Sequence, residues 1–296
     1  MVCYHPLKAW RGRVAGKSGR APVVFNVKDG WEDRPVTLPC GQCVGCRLER
    51  SRQWAVRCVH EAQLHEDNSF ITLTYNNDHL PSDGSLDIRH FQLFMKRLRT
   101  SIAPRRIKFF HCGEYGSKYG RPHYHALLFG YDFADRRLHQ VRNGYPIYIS
   151  EELSRLWTMG FSSCGDLTFE SAAYVARYIM KKVTGKDAEG HYQGRRPEYT
   201  SMSGAGQGKG IAHDWYEKYG KDVYPYDEVI MRGKRLRPPR YYDGLFEVTN
   251  PEGMQQIRAK RISAGRKHKA DQTPERLKVR EAIQKRRLGL LKRDLE

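Results

Sequence analysis

Short β-branched and aromatic runs alternate along the middle of the chain with segments whose apolar residues recur every three or four positions. The first pattern predicts strands, and the second predicts amphipathic helices. A polar, glycine-rich turn between two of the runs predicts a hairpin. Together these features indicate the α+β class, with a central antiparallel sheet and helices on one face. The predicted strands are 69–75, 107–112, 123–129 and 160–167, and the predicted helices are 47–65, a segment capped by Asp87, 151–158 and 171–183.

Composition changes on both sides of this patterned region. Residues 1–66 hold an N-terminal arm, a cysteine cluster and a basic helix, and frequent Gly and Pro in the first 39 residues predict little regular structure. Residues 67–185 are the predicted core domain, and residues 186–253 are a loop-rich extension expected to pack on it. Residues 254–296 carry 14 Lys and Arg against 5 Asp and Glu. We predict a basic C-terminal tail, solvated or partly helical, whose apolar residues are too sparse for a core.

The charge of the chain predicts the class of its partner. Lys and Arg number 52 against 33 Asp and Glu, a net charge of +19, which favours nucleic acid first and an anionic membrane second. The sequence contains no apolar run of 18 residues, so we expect no membrane-spanning helix. The N-terminus lacks a secretory pattern, so the seven cysteines are expected in a reducing compartment as thiols or metal ligands.

The first candidate site is the pair His123 and His125 on a predicted strand. Residues i and i+2 of a strand point to the same face, and two neighbouring imidazoles can hold a divalent metal. Glu114 precedes His123 by nine residues and would lie beside it if the hairpin closes over 116–121. Two imidazoles and a carboxylate leave coordination positions open for substrate oxygens. The alternative is a histidine pair on a solvent-facing strand.

The second candidate is a predicted helix that carries Tyr174 and Tyr178, followed by Lys181 and Lys182. Tyrosines four residues apart share one helical face, and at least one of the lysines shares it too. A tyrosine hydroxyl becomes a nucleophile when its pKa is lowered or when its target is polarised. The alternative is ordinary packing, because the two tyrosines also belong to an amphipathic stripe.

The third candidate is a Cys-x-x-Cys-x-x-Cys segment at Cys40, Cys43 and Cys46. Thiolates at this spacing can share one tetrahedral zinc, although three ligands do not close a structural site. An iron–sulfur cluster and free thiols in a turn are the alternatives. The candidates for a fourth ligand are Cys3 and His5 in the arm and Cys58 on the following helix, and Cys3 completes our candidate zinc set.

Two glycine-rich segments, 12–18 and 204–210, resemble phosphate-binding loops only in part. The first has three residues rather than four between its glycines and follows no predicted strand. The second fits neither the P-loop nor the Gly-x-Gly-x-x-Gly pattern. We therefore predict no nucleotide cofactor.

Taken together, three motifs resemble a known set. Thr-Leu-Thr-Tyr at 72–75, His-Tyr-His at 123–125 and Tyr-Val-Ala-Arg-Tyr-Ile-Met-Lys at 174–181 are similar in order and spacing to the motifs of the HUH superfamily of replication initiators and relaxases. Tyr124 departs from the aliphatic middle residue of that pattern. The paired tyrosines resemble the two-tyrosine rolling-circle initiators of small single-stranded DNA phages. Segments that resemble the gokushovirus branch of the Microviridae are 39–47, 113–125 and 238–243.

The resemblance implies a fold, a reaction and a set of partners. The fold would be an HUH endonuclease with an RRM-like, ferredoxin-like core and basic extensions. The enzyme would nick and rejoin single-stranded origin DNA through a covalent 5′-phosphotyrosine, without ATP. It would leave a free 3′ hydroxyl for the host polymerase and would work with the host helicase in the bacterial cytoplasm.

The resemblance also implies roles for individual residues. Two histidines and a glutamate would hold Mg²⁺ or Mn²⁺ as a Lewis acid on the scissile phosphate. Two tyrosines would act as alternating nucleophiles, and the lysines after them would stabilise developing charge. These residues are Glu114, His123 and His125 for the metal, Tyr174 and Tyr178 for the nucleophiles, and Lys181 with Lys182 for the charge.

Two other classes of protein fit part of the sequence. A non-enzymatic, zinc-containing nucleic-acid-binding protein explains the charge and the cysteines, but not the histidine pair together with the tyrosine helix. An HUH transposase also uses tyrosine, but that class is usually shorter and has one nucleophile.

Overall fold

The computed structural model describes residues 3–15, 21–116, 119–177, 182–183, 185, 188–204 and 209–290. Within these residues the chain forms two compact units, one containing 3–49 and 263–290 and the other containing 50–262. In this part of the chain, no helix combines the length and the apolar character needed to cross a membrane.

The helices and strands follow the predicted pattern closely in the middle of the chain and add elements at both ends. The helices are α1 Val44–Ala62, α2 Ile88–Ser101, α3 Glu151–Leu156, α4 Phe169–Arg177, α5 Ala188–Tyr192, α6 His213–Val223, α7 Arg240–Thr249, α8 Pro251–Arg266 and α9 Pro274–Gly289. The strands are β1 Leu7–Gly12, β2 Val23–Val24, β3 Gly30–Leu38, β4 Asn68–Tyr75, β5 Lys108–Tyr115, β6 Pro122–Phe129, β7 Arg137–Arg142, β8 Tyr145–Ile149, β9 Gly160–Asp166, β10 Tyr199–Met202, β11 Val229–Met231 and β12 Lys234–Leu236.

The larger unit is built on a seven-stranded sheet in the order β10-β5-β6-β4-β9-β8-β7. Every neighbouring pair is antiparallel, so the predicted α+β class is confirmed. The predicted hairpin is β5–β6, whose register runs from Lys108↔Phe129 to Tyr115↔Pro122. Strand β10, from the segment predicted as loop-rich, joins the sheet beside β5.

Helices cover both faces of this sheet, whereas the sequence predicted one covered face. On one face, Ile71 and Leu73 pack with residues of α2 and α3 such as Phe94. On the other face, Leu127 and Phe129 pack with residues of α1, α4 and α7. The reason is visible in β6, which is buried at every position and is continuously apolar from residue 126 to residue 129. A continuous run of this kind is typical of a strand that is buried on both sides.

The helix boundaries are set by local chemistry. Asp87 caps α2 as predicted, because its side chain accepts a hydrogen bond from the Arg89 amide at 2.8 Å. The predicted helix 171–183 begins earlier, at Phe169 in α4, and is described as far as Arg177. Residues 178–181 lie outside the described residues.

The smaller unit shows regular structure where little was predicted. Residues 7–38 form a three-stranded antiparallel sheet in the order β2-β1-β3. Its strands escape pattern recognition because most positions of β3 are exposed and polar, with only Gly30 buried. Main-chain pairing rather than an apolar face defines such a strand.

The basic C-terminal segment contributes to hydrophobic clusters, contrary to the prediction that its apolar residues are too sparse. In the smaller unit, Leu277 of α9 packs with Tyr4, Cys43 and Cys46. In the larger unit, Ile257 of α8 belongs to the buried cluster on the second sheet face. A few well-placed apolar residues are therefore enough to seat these two basic helices.

Candidate active site

The first candidate cluster lies at the open end of the β5–β6 hairpin. Pairing of the two strands places Glu114 directly opposite His123, as the sequence predicted. His125 lies two residues further along β6 and therefore points to the same face as His123. The carboxylate and both imidazoles offer ligand atoms that all lie within 4.8 Å of one another. The structure thus brings together three residues from two strands.

One carboxylate oxygen serves both rings. Glu114 Oε1 lies 2.8 Å from His123 Nε2 and 3.0 Å from His125 Nε2. Glu114 is fully buried, whereas His123 keeps 7% of its surface exposed at the rim. Burial raises the pKa of the Glu114 carboxyl, but the hydrogen bonds from His123 and His125 outweigh burial and lower this pKa to about 2. The carboxylate is therefore charged at neutral pH.

The outer nitrogens of both rings are held by neighbouring groups. His123 Nδ1 donates to the Arg121 carbonyl at 3.0 Å, and His125 Nδ1 pairs with Thr72 Oγ1 at 2.9 Å. A neutral imidazole that donates from Nδ1 presents a lone pair at Nε2. Such outer hydrogen bonds orient histidines that ligate metals. In His123 the Nε2 lone pair would face a carboxylate oxygen, so a proton or a cation belongs between them.

Tyr174 of α4 is buried against this cluster. Its ring lies edge-on to His125, with centroids 5.2 Å apart, and edge-on to Phe70 at 6.1 Å. Phe70 in turn stacks on His125 at 5.5 Å, so the three rings form one aromatic group. The guanidinium of Arg177 lies 6.0 Å from the centre of the Tyr174 ring. Core packing and proximity to the cluster, which the sequence treated as alternatives, both hold for Tyr174.

The other residues of the predicted tyrosine helix are only partly covered by the structure. Tyr178 and Lys181 lie outside the described residues. Lys182 is exposed.

Tyr124, the departure from the aliphatic middle position, points to the opposite face of the sheet. Its hydroxyl donates to the Asp87 carbonyl at 2.7 Å and lies 2.6 Å from the Tyr75 hydroxyl. The Tyr75 hydroxyl also lies 2.6 Å from His90 Nδ1. Burial raises the pKa of Tyr124 to about 12, so the phenol stays neutral. The polar tip is thus satisfied inside the core, which explains how a tyrosine is accommodated here.

The second candidate cluster lies in the smaller unit and consists of Cys3, Cys40, Cys43 and Cys46. Their four sulfurs lie within 4.8 Å of one another, and the Cys43 and Cys3 sulfurs are 4.0 Å apart. A tetrahedral zinc with bonds of about 2.3 Å separates its sulfurs by roughly 3.8 Å. The spacing therefore fits a four-thiolate metal site.

Main-chain amides point at these sulfurs. The Tyr4 amide donates to Cys43 Sγ at 3.3 Å, and the Cys40 amide donates to Cys3 Sγ at 3.2 Å. Burial raises the pKa of Cys43, but the amides of Cys46 and Tyr4 outweigh burial and lower this pKa to about 7. Burial raises the pKa of Cys46. The amides thus favour negative charge on Cys43.

The other candidates for a fourth cysteine-site ligand lie elsewhere. His5 Nε2 pairs with Glu281 Oε2 at 2.9 Å. Cys58 is fully buried in the core of the larger unit. The structure thus selects Cys3 from the three candidates.

Comparison with known proteins gives a consistent set of relatives. Residues 68–183 match the family model for the replication-associated protein ORF2. The chain is 33% identical over 270 residues to replication-associated protein VP4 of Bdellovibrio phage phiMH2K, covering 88% of this chain and 82% of that protein. It is 36% identical over 218 residues to replication-associated protein ORF4 of Chlamydia phage 1, covering 71% and 53%. It is 35% identical over 226 residues to replication-associated protein ORF2 of Spiroplasma virus 4, covering 71% and 68%. No solved structure gives a significant match.

Proposed function

Because the chain belongs to the replication-associated protein family of gokushovirus-type Microviridae, we propose that it initiates rolling-circle replication by nicking and rejoining single-stranded origin DNA. The observation that carries the proposal is the contact between Tyr174 and His125, since His125 shares the carboxylate of Glu114 with His123. A tyrosine nucleophile thus adjoins a cluster suited to a divalent cation.

Glu114, His123 and His125 would hold Mg²⁺ or Mn²⁺. The donor set fits, because the carboxylate is charged and each imidazole is oriented through its outer nitrogen. The chemistry that such an ion supplies when bound is Lewis-acid polarisation of a phosphate oxygen. The protein itself supplies buried, pre-oriented ligands and an aromatic wall beside them.

The tyrosine reaction balances without an external cofactor. The hydroxyl oxygen of Tyr174 attacks the phosphorus and forms a phosphotyrosine, while the proton of the hydroxyl passes to solvent. The bond from phosphorus to the 3′ oxygen breaks, and that oxygen takes a proton to become a free 3′ hydroxyl. Tyr178 would act as the second nucleophile when the regenerated origin is cut. Lys181 and Lys182 would stabilise charge on the phosphate or the phenolate.

The cysteine cluster would hold a structural zinc. Four thiolates at tetrahedral spacing make a closed site, which supports folding rather than catalysis. The free energy of zinc binding would then stabilise the smaller unit, where Leu277 of α9 packs on the cysteines.

The partners follow from the charge and the reaction. A net charge of +19 favours salt-dependent binding of DNA. The free 3′ hydroxyl would be extended by the host polymerase after unwinding by a host helicase, in the bacterial cytoplasm. The competing function is a zinc-containing nucleic-acid-binding protein without enzymatic activity.

A labelled origin oligonucleotide separates these functions. The protein is incubated with Mn²⁺ and the single-stranded origin, labelled at the 3′ end in one sample and at the 5′ end in another. Nicking attaches the 3′-labelled fragment to protein on a denaturing gel and shortens the 5′-labelled one. Mass spectrometry of the adduct then locates the tyrosine. A protein that binds both oligonucleotides but forms no adduct is a binding protein, and the nicking proposal fails.

A further inference from the structure

An exposed aromatic side chain lies on the sheet face that carries the Glu114, His123 and His125 cluster. Phe161 of β9 keeps 70% of its surface exposed. In the sheet it pairs with Thr74 of β4, and Thr74 pairs on its other side with His123 of β6. A single row across four strands therefore reads Glu114, His123, Thr74 and Phe161.

The alternation along β9 confirms which way Phe161 points. Cys164 belongs to the buried cluster on the first face, and the Ser162 hydroxyl lies 3.1 Å from Ser154 of α3 on that same side. Side chains alternate along a strand, so Phe161 and Ser163 lie on the second face. This is the face of His125, because Ser163 pairs with Thr72 and Thr72 pairs with His125.

The spacing suits one nucleotide. Phe161 is two strands away from His123, which corresponds to about 10 Å. A nucleotide whose phosphate lies at the cluster can reach across this distance with its base or with the base of its neighbour. A large apolar ring that remains in solvent beside a candidate phosphate site calls for such a partner.

The neighbouring surface favours a base over a phosphate. Below Phe161 on the same face, a cavity of about 140 Å³ is bounded by Phe70, Thr72, Ser163, Asp166 and Glu170, among others. Among the described residues that line it are two carboxylates and no lysine or arginine. These carboxylates would repel a second phosphate, whereas the face of a base can stack on an aromatic ring whatever its sequence.

We propose that Phe161 is a stacking platform for the base next to the scissile phosphate and positions that phosphate at the cluster. This inference rests on the proposed nicking function for its substrate. Phe161 does not take part in the bond changes. Its contribution therefore belongs to substrate binding and should not depend strongly on which base is present.

The test compares Phe161→Ala, Phe161→Leu and Phe161→Trp with Tyr226→Ala as a matched control. Tyr226 is also an exposed aromatic residue of the larger unit, with 72% of its surface exposed. Binding to the single-stranded origin oligonucleotide is measured by fluorescence anisotropy in EDTA, and adduct formation is measured at saturating and subsaturating DNA with Mn²⁺. Thermal unfolding is measured for each variant, and we expect it to stay near wild type because the ring is exposed.

Loss of one stacked base should weaken binding roughly 5- to 150-fold. We expect this loss for the Ala and Leu variants, mostly as a higher half-saturating DNA concentration, and near-normal binding for the Trp variant and for Tyr226→Ala. An oligonucleotide with an abasic site at the stacked position should bind wild type and Phe161→Ala equally well. If Phe161→Ala or Phe161→Leu binds and reacts like wild type, the stacking platform is overturned.

The two proposals fail separately. If wild type forms no adduct but Phe161→Ala still weakens binding and the abasic oligonucleotide abolishes the difference, the platform stands and the nicking function falls. If wild type forms the adduct and the Phe161 variants do not differ from it, the nicking function stands and the platform falls.

Discussion

The ring of Tyr174 meets the imidazole of His125 edge to face, with centroids 5.2 Å apart and planes inclined at 82°. This contact joins helix α4 to strand β6 and sets a phenol beside a cluster of two imidazoles and a carboxylate. The tyrosine is buried, so its ring is part of the core while its position marks it as the candidate nucleophile.

The hydroxyls of the two tyrosines should be essential together and partly redundant singly. Tyr174→Phe and Tyr178→Phe keep the rings, so packing should persist and each variant should retain some covalent attachment to an origin oligonucleotide. The double Phe variant should form none, and neither single variant should release circles efficiently over repeated rounds. Denaturing gels of the adduct and circle-release assays check this. A double variant that still forms the adduct would exclude both tyrosines as nucleophiles.

Replacing both histidines should abolish nicking, but the structure adds a cost in stability. From the sequence, His123→Ala with His125→Ala is expected to leave the fold near native. Glu114 is fully buried, however, and would lose its hydrogen bonds with both rings. Removing the partners of a buried charge costs about 3–5 kcal/mol. Adding Glu114→Gln to the double variant should therefore raise the unfolding temperature again without restoring nicking.

The outcome is read from circular dichroism melts and the oligonucleotide assay run in parallel. A double histidine variant that nicks at the normal rate would remove the cluster from the reaction. A triple variant no more stable than the double would show that the Glu114 charge is not the source of the instability.

The buried imidazole of His60 should make stability depend on pH. It stacks on Trp215 with ring centroids 3.5 Å apart, and its Nδ1 lies 2.8 Å from the Tyr242 hydroxyl. Burial lowers the pKa of His60 from 6.5 to about 3. Between these values the unfolded chain binds the proton and the folded chain does not, so stability falls as pH drops below about 6.5.

The slope from this one group approaches about 1.4 kcal/mol per pH unit. Urea unfolding from pH 7 to pH 4 should therefore show a flatter profile for His60→Gln than for wild type, whatever its stability at pH 7. The exposed His139 provides the matched control as His139→Gln. Equal slopes for wild type and His60→Gln would contradict the assignment.

The cysteine cluster should carry about one zinc per chain. Cys43→Ser should lower the zinc content and destabilise the smaller unit, since Cys43 is buried against Tyr4 and Leu277. Cys164→Ala removes a buried thiol from the other unit and should leave zinc unchanged. Elemental analysis of purified protein checks this, and zero zinc or the absorption of an iron–sulfur cluster would reject the zinc site.

The exposed basic residues of α9 should contribute to DNA affinity and not to the chemistry. A full deletion of 254–296 would also remove Ile257 from the buried core, so neutralising surface charges is the sharper change. Lys278, Arg286 and Arg287 are exposed, and changing all three to Gln should weaken binding. If each contacts a phosphate of a single strand, the slope of log K against log salt should fall by about 2.

The cleavage position on the oligonucleotide should be the same in this triple variant. An unchanged salt slope would place the DNA away from α9. Loss of nicking with intact affinity would tie α9 to the catalytic fold.

Local patterns in the sequence were sufficient to predict the β5–β6 hairpin and its contents. Strand periodicity puts His123 and His125 on one face, and the length of the turn brings Glu114 opposite His123. The cap of α2 at Asp87 was predictable for the same reason. Each of these features depends on residues that are close along the chain, where spacing alone determines geometry.

Only the tertiary structure decided which distant groups complete the sites. Thr72 reaches His125 from the next strand, Cys3 joins cysteines some 40 residues away, and Phe161 enters the row of His123 across two strands. The register of long-range strand pairing and the path of the chain set these contacts, and no local period encodes either. Burial on both faces of the sheet is also a property of the assembled layers, because it depends on which helices return to which face.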